Sequence, residues 1–423
     1  MKRFAIALAA LAFVTTSCNK DDDGGDTTQP VDGTEVVSGV LSADVTWNTN
    51  NADGSKTTYI LDGRVIVPEG VTLKIAPGTL IKGKEGLETN ASVLIVARGG
   101  NIRAEGTADE PIIFTSELDN IEPGQMVGSN LDRTQNELWG GIIVLGAAPI
   151  SAEDGDTETT IEGLPADEEY AKYGGSNASD NSGVMQYVSI RHGGISIGDG
   201  NEINGLTLGG VGNGSTFDNI EIYATLDDGI EFFGGSTDMT NALVNFQGDD
   251  GVDIDMNYSG TVDNFMVIHG DGIGTDEGLE IDGPEGSTHT DGMFILKNGT
   301  VKSIGSEGTA GDFKSKAQGT VMNVEFIYSA GAEVKIRASY QNDCADQKTD
   351  AWTNLVNDGK LVFTDNTIDA ITVYTGSEAS DGSECSVAAG AQASAEAMII
   401  STTDVGADPN AFAWTATAQR GEL

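Results

Sequence analysis

The chain has 423 residues and carries 66 Asp and Glu against 22 Lys and Arg, a formal net charge of -44. That excess excludes nucleic acid as a partner, because no cationic surface is left to neutralise a phosphate backbone. It also argues against docking on anionic lipid through a basic patch. With 57 glycines and only 6% aromatics the composition is not that of a helical protein, while recurrent short Val/Ile/Leu/Phe runs exclude disorder.

Residues 1–17 open with Met1, Lys2 and Arg3, continue as the apolar stretch FAIALAALAFV and end in Thr15-Thr16-Ser17, followed by Cys18. The apolar stretch is too short to span a bilayer and reads as a signal-peptide core. Its ending resembles the lipobox of bacterial lipoproteins, which implies cleavage before Cys18 and a lipid such as palmitate on that residue. Residues 18–36 form an acidic tether whose Asn19-Lys20-Asp21-Asp22-Asp23 is similar to surface-export tracts of outer-membrane lipoproteins. The resemblance implies a lipid-anchored, surface-exposed protein of the outer membrane, touching the bilayer through the lipid alone.

From residue 37 to 340 short β-rich runs alternate with Gly/Pro turns, as in TYILDGRVIV, PEGVTLKIAPGTLIKG and SVLIVARGGNIRAEG. They are too short and too often interrupted for helices and suit the strands of a coiled β-structure. Polar excursions at 117–138 and 152–182 read as loops extruded from that core.

A repeat then emerges: apolar-x-Asn-x-x-apolar, with Asn219, Asn241, Asn264, Asn298 and Asn323 spaced by 22, 23, 34 and 25 residues. A β-rich unit of this period without a helix indicates a β-solenoid, with the asparagines stacked as a ladder at a bend. The runs WGGIIVLG, NGLTLGGVG and LDDGIEFFGG resemble those of exported bacterial lipoproteins with a right-handed parallel β-helix, over roughly residues 55–340. The right hand of the coil is an implication of that resemblance. Residues 341–423 differ and read as a C-terminal cap. They hold the strand-like runs KLVFTD and AITVYTG, an Ala-rich stretch at 388–400 of helical character, Trp352 and Trp414 as packing residues, and Cys344 and Cys385. An even cysteine pair in an exported chain, with no His nearby, points to a disulfide rather than a metal site.

The chemistry concentrates in three copies of one acidic motif: Asp227-Asp228-Gly229-Ile230-Glu231, Asp249-Asp250-Gly251-Val252-Asp253 and Asp276-Glu277-Gly278-Leu279-Glu280. If the aliphatic residues point inward, strand period puts Glu231, Asp253 and Glu280 outward, in a column at the ~4.8 Å strand spacing. Two unit charges so placed repel by about 0.9 kcal/mol even in water. Between His192 and Leu296 there are 20 acids and no Lys or Arg. Nine carboxylates without imidazole or thiolate suit Ca²⁺. Two plainer expectations compete: a solvated acidic face that keeps the solenoid soluble, and turn-forming aspartates that cap backbone amides.

Catalysis is the other alternative. Gln247-Gly248-Asp249-Asp250 is similar to the paired-aspartate motif of polygalacturonases, and Arg191-His192-Gly193-Gly194 is loosely similar to their His motif, which would make Asp228, Asp249 and Asp250 the acid–base set of a polysaccharide hydrolase. Here the His motif precedes the aspartates instead of following them. A lyase would need a basic residue that the 192–296 segment lacks. Three histidines without HxxxH or CxxC spacing argue against zinc chemistry. The sequence thus favours a surface binding or adhesion module, for glycans or an outer-membrane protein, over an enzyme.

Overall fold

The computed structural model describes residues 33–423 apart from 52–53, 87–89, 166–167, 197–201, 271–273, 306–307 and 329–332. The signal peptide, Cys18 and the tether up to residue 32 lie outside the described residues. The tether is shorter than its sequence suggests, because the strand Gly33–Val40 already pairs in parallel with Thr57–Val67.

Among the described residues twenty-three strands join into one sheet, and its successive turns pair in parallel to close a three-faced β-helix. From residue 183 onward each turn begins with a long strand that serves two faces: Gly183–Arg191, Thr216–Thr225, Met239–Gln247, Thr261–His269, Phe294–Ser303 and Gly319–Ile327. The fold between those faces falls on the repeat asparagines. Asn219, Asn241, Asn264, Asn298 and Asn323 have φ between 55° and 57°, a left-handed conformation that Asn tolerates better than other side chains. Their amides bridge the turns: Asn264 Nδ2 donates to Asn241 Oδ1 at 2.7 Å, and Asn323 Nδ2 to Asn298 Oδ1 at 2.6 Å. Asn241 and Asn298 donate instead to Asp218 and Asp263. The predicted ladder exists, with two aspartates spliced into it.

The third face stacks Ile142–Leu145, Leu206–Gly209, Ile230–Phe233, Val252–Asp255, Leu279–Ile281, Gly311–Phe313, Glu333–Arg337 and Ala370–Tyr374. Ile230, Phe232, Val252, Ile254, Leu279 and Ile281 point into the continuous core. Each fully buried side chain of this size contributes about 1.5–3 kcal/mol.

The coil runs past the boundary read from the sequence at 340. Leu361–Thr364 and Ala370–Tyr374 pair in parallel with the strands before them, so only the remainder of 341–423 caps. Helix Ala391–Met398 lies on the last turn, where Gln392 satisfies that open edge by accepting from Val373 N and donating to Ile371 O. Cys344 and Cys385 form the expected disulfide. Trp352 packs in the cap, its Nε1 donating to Ala391 O, but Trp414 does not. The last residues turn back along the coil as a strap, and Trp414 meets Tyr187 edge-on. Glu221, fully buried, anchors the strap by accepting from the backbone N–H groups of Ala416 and Thr417. Among the described residues no helix is long and apolar enough to cross a membrane.

Candidate metal centre

The acidic motif occupies the turn into the third face and the strand that follows. Its glycine is a packing requirement: a Cβ on Gly229 would lie 2.4 Å from Val244 Cγ1 and 2.5 Å from Gly251 O, and Gly251 repeats this against Val267 and Gly278. The turn therefore presses flat against a core valine, which only glycine permits.

The two acids before that glycine have different environments. The first of each pair faces outward, with Asp227 half-buried and Asp249 and Asp276 exposed. The second is buried and caps the next turn: Asp228 Oδ1 accepts from Asp250 N at 2.9 Å, and Asp250 Oδ1 accepts from Glu277 N at 2.6 Å. The capping expectation holds for Asp228 and Asp250.

The strand acids stand in register as predicted, Glu231 opposite Asp253 and Asp253 opposite Glu280. They are not a solvated face. Glu231 is 5% exposed and Asp253 9%, because the 152–182 excursion, with the segment leading into it from residue 146, folds over the outside of this stack. Its Ile150, Ile161, Leu164 and Tyr173 build a second apolar cluster with Ile143, Leu145 and Phe233. A loop from the opposite side joins it, Gly286 N donating to Ser151 Oγ. The column is thus covered rather than solvated.

Carboxylate oxygens converge there in three groups, each within 4.8 Å of one another: Asp227, Asp228 and Asp249; Asp228, Glu231 and Asp253; Asp250, Asp253 and Glu280. In the middle group Asn204 Nδ2 donates to Glu231, while Asp253 Oδ1 is buried without a hydrogen-bond partner. A buried unpaired carboxylate is strongly disfavoured, so such a group takes up a proton or a cation. Burial, reinforced by neighbouring acids, accordingly holds Asp228, Glu231, Asp250, Asp253 and Asp255 well above the usual carboxylate range. Burial and then Glu202 and Glu162 push Asp227 up to about 8, and burial with Glu202 pushes Glu162 up to about 7.

Further along the column the sign changes. Glu280 is opposite Asp312, which is opposite Lys335. Lys314 pairs with Glu280, Lys335 Nζ lies 3.0 Å from Glu277 Oε1, and Arg337 approaches Asp282 at 3.9 Å. Burial pushes Glu277 up, but the hydrogen bond and charge of Lys335, together with hydrogen bonds from Thr309 and Asp276, outweigh it and leave this acid below its ordinary value. The counter-charges missing from 192–296 come from the turns beyond it.

Oxygens that all lie within 4.8 Å of one another can reach one common ion at Ca²⁺ distances of about 2.3–2.6 Å. Among the described residues no imidazole joins these groups. His192 and His269 are buried and pushed by that burial down to about 4, His192 Nδ1 resting on Gln135 O and His269 Nδ1 on Thr275 Oγ1. Sequence reasoning missed Glu162, Asp255, Asp282 and Lys314. Asp255 was within reach, since it follows Asp253 at strand period on the same face.

A family described as the pectate-lyase like beta helix domain matches residues 39–419. The chain belongs to this family. Membership accounts for the parallel β-helix and its right-handed coil. Among curated proteins none matches significantly. A solved structure similar to this pectate-lyase-like chain is the pectin methylesterase from Aspergillus niger, at 9% identity and a TM-score of 0.24, covering 90% of this chain and 96% of that one.

Proposed function

We propose that this pectate-lyase-like β-helix is a cell-surface binding module, lipid-anchored through Cys18 at the outer membrane, that holds Ca²⁺ between Asp228, Glu231 and Asp253 and offers glycans the outer side of the column. The observation that carries the reading is Asp253, nine-tenths buried, with its Oδ1 lacking a hydrogen-bond partner among converging carboxylates. A bound dication supplies the missing counter-charge. Asp227 and Asp249, which converge with Asp228 in the neighbouring group and lie nearer the surface, offer carboxylate oxygens on the side where sugar hydroxyls would approach.

Calorimetric titration of the unlipidated chain (Cys18→Ala) with Ca²⁺ tests it. The expected result is saturable binding with a raised melting temperature. No heat and no shift at millimolar Ca²⁺ would refute the cation site.

A second reading, a carbohydrate-active enzyme using Asp228, Asp249 and Asp250, draws support from Asp227, which at about 8 would be protonated near neutrality and able to donate a proton. Against an inverting hydrolase, the Asp228 and Asp249 oxygens come within 4.8 Å of each other, closer than the ~6.5–9.5 Å that such an enzyme leaves for its water. Asp228 and Asp250 are also committed to backbone N–H groups. A reducing-sugar screen with Asp249→Asn and Asp250→Asn separates the two, because activity abolished by either substitution would favour the enzyme.

A further inference from the structure

The group Asp250, Asp253 and Glu280 has the same convergent oxygens as the middle group and shares Asp253 with it. One feature separates them. The strongest charges acting on Asp228, Glu231 and Asp253 are all other acids, whereas Lys314 reaches into the Asp250 group. Its ammonium pairs with Glu280 and also acts on Asp249, Asp250 and Asp255. Its position is set by the coil, since Lys314 N donates to Ile281 O, the residue after Glu280, at 2.8 Å. The side chain is largely covered, 26% exposed against 19% for Glu280, so the pair is less screened than a surface bridge.

We infer that the Lys314 ammonium is a built-in counter-ion, standing where a second cation would sit among Asp250, Asp253 and Glu280 and so limiting the column to one. This rests on the cation reading above. Two dications that share Asp253 would repel strongly at this range. A monovalent ammonium on a flexible stem neutralises the second group at lower cost and leaves the first to an external ion.

The test is the Ca²⁺ stoichiometry of the full unlipidated chain carrying Lys314→Met, with Lys314→Arg as the charge-retaining control and Lys314→Met/Glu280→Gln to locate any new site. The expected numbers are one ion for the parent, two for Lys314→Met, one for Lys314→Arg and one for the double variant. A Lys314→Met stoichiometry that stays at one, whatever its affinity, would overturn the inference while leaving the single site standing. A parent that binds none beside a Lys314→Met variant that binds one would do the reverse, sinking the first site and supporting the lysine's role. No binding in either would sink both.

Discussion

The two halves of the acid column are built from the same motif and differ in what neutralises it. In the turns of Ile230–Phe233 and Val252–Asp255, Glu231 and Asp253 are covered by the 152–182 excursion and the segment leading into it, and among the described residues they form no ion pair with Lys or Arg. In the turns of Leu279–Ile281 and Gly311–Phe313, Glu277, Glu280 and Asp282 meet Lys335, Lys314 and Arg337. One half is finished by the chain itself, and the other is left short of positive charge. The same fold can therefore make either an ion-pair ladder or a cation site, depending on whether the next turn contributes a base.

This difference predicts opposite signs for equivalent substitutions. In metal-free protein Asp253→Asn removes a buried carboxyl that must take up a proton to fold and should raise stability by about 2–3 kcal/mol, whereas Glu277→Gln strips Lys335 of its partner and should lower it by a similar or smaller amount. Denaturant unfolding in the presence of a chelator measures both, and equal signs would erase the distinction.

A somewhat smaller effect concerns pH. Asp227 and Glu162 have folded values raised to about 8 and 7, so the folded state binds more protons than the unfolded one. Their favourable contribution is complete below the unfolded values and is lost as pH rises through the folded ones. His192 and His269, lowered to about 4, act oppositely, but only between about 4 and their ordinary 6.5. Between pH 6.5 and 8.5 the acids therefore act alone, and metal-free protein should lose about 2 kcal/mol across that window. Saturating Ca²⁺ should flatten the loss. A pH-independent melting temperature in chelator would contradict the uncompensated half.

The smallest effect serves as a control from outside the column. Asn264→Ala breaks the ladder bond to Asn241 and the contact from Asp408 N, and puts Ala at φ 57°. It should cost about 1–2 kcal/mol, with no change in Ca²⁺ response or pH dependence. A changed Ca²⁺ affinity would mean that coil geometry, not local charge, governs the site.

Much of this was legible from local pattern. The asparagine period marked the bend, because left-handed backbone selects Asn, and the acidic motif marked the register of the third face, because strand period fixes which acids share a side. The burial of the column was not legible. It depends on Ile150, Ile161, Leu164 and Tyr173 folding over residues far along the chain, and nothing local signals where an extruded loop returns. The same holds for the strap on Glu221, which joins residues 195 and 196 positions apart, and for Lys314, whose meeting with Glu280 follows only from knowing that Phe313 sits opposite Ile281. The sequence view of a solvated acidic face failed for this reason: it saw the charges and not the cover.

The most direct test of the central claim is a paired calorimetric titration of Asp253→Asn and Glu277→Gln with Ca²⁺. If the cation belongs to the half without protein counter-charge, Asp253→Asn should weaken binding by at least about tenfold, the loss of roughly 1.4 kcal/mol, while Glu277→Gln stays within about threefold of the parent. Binding that survives Asp253→Asn unchanged, or that is lost with Glu277→Gln instead, would contradict it.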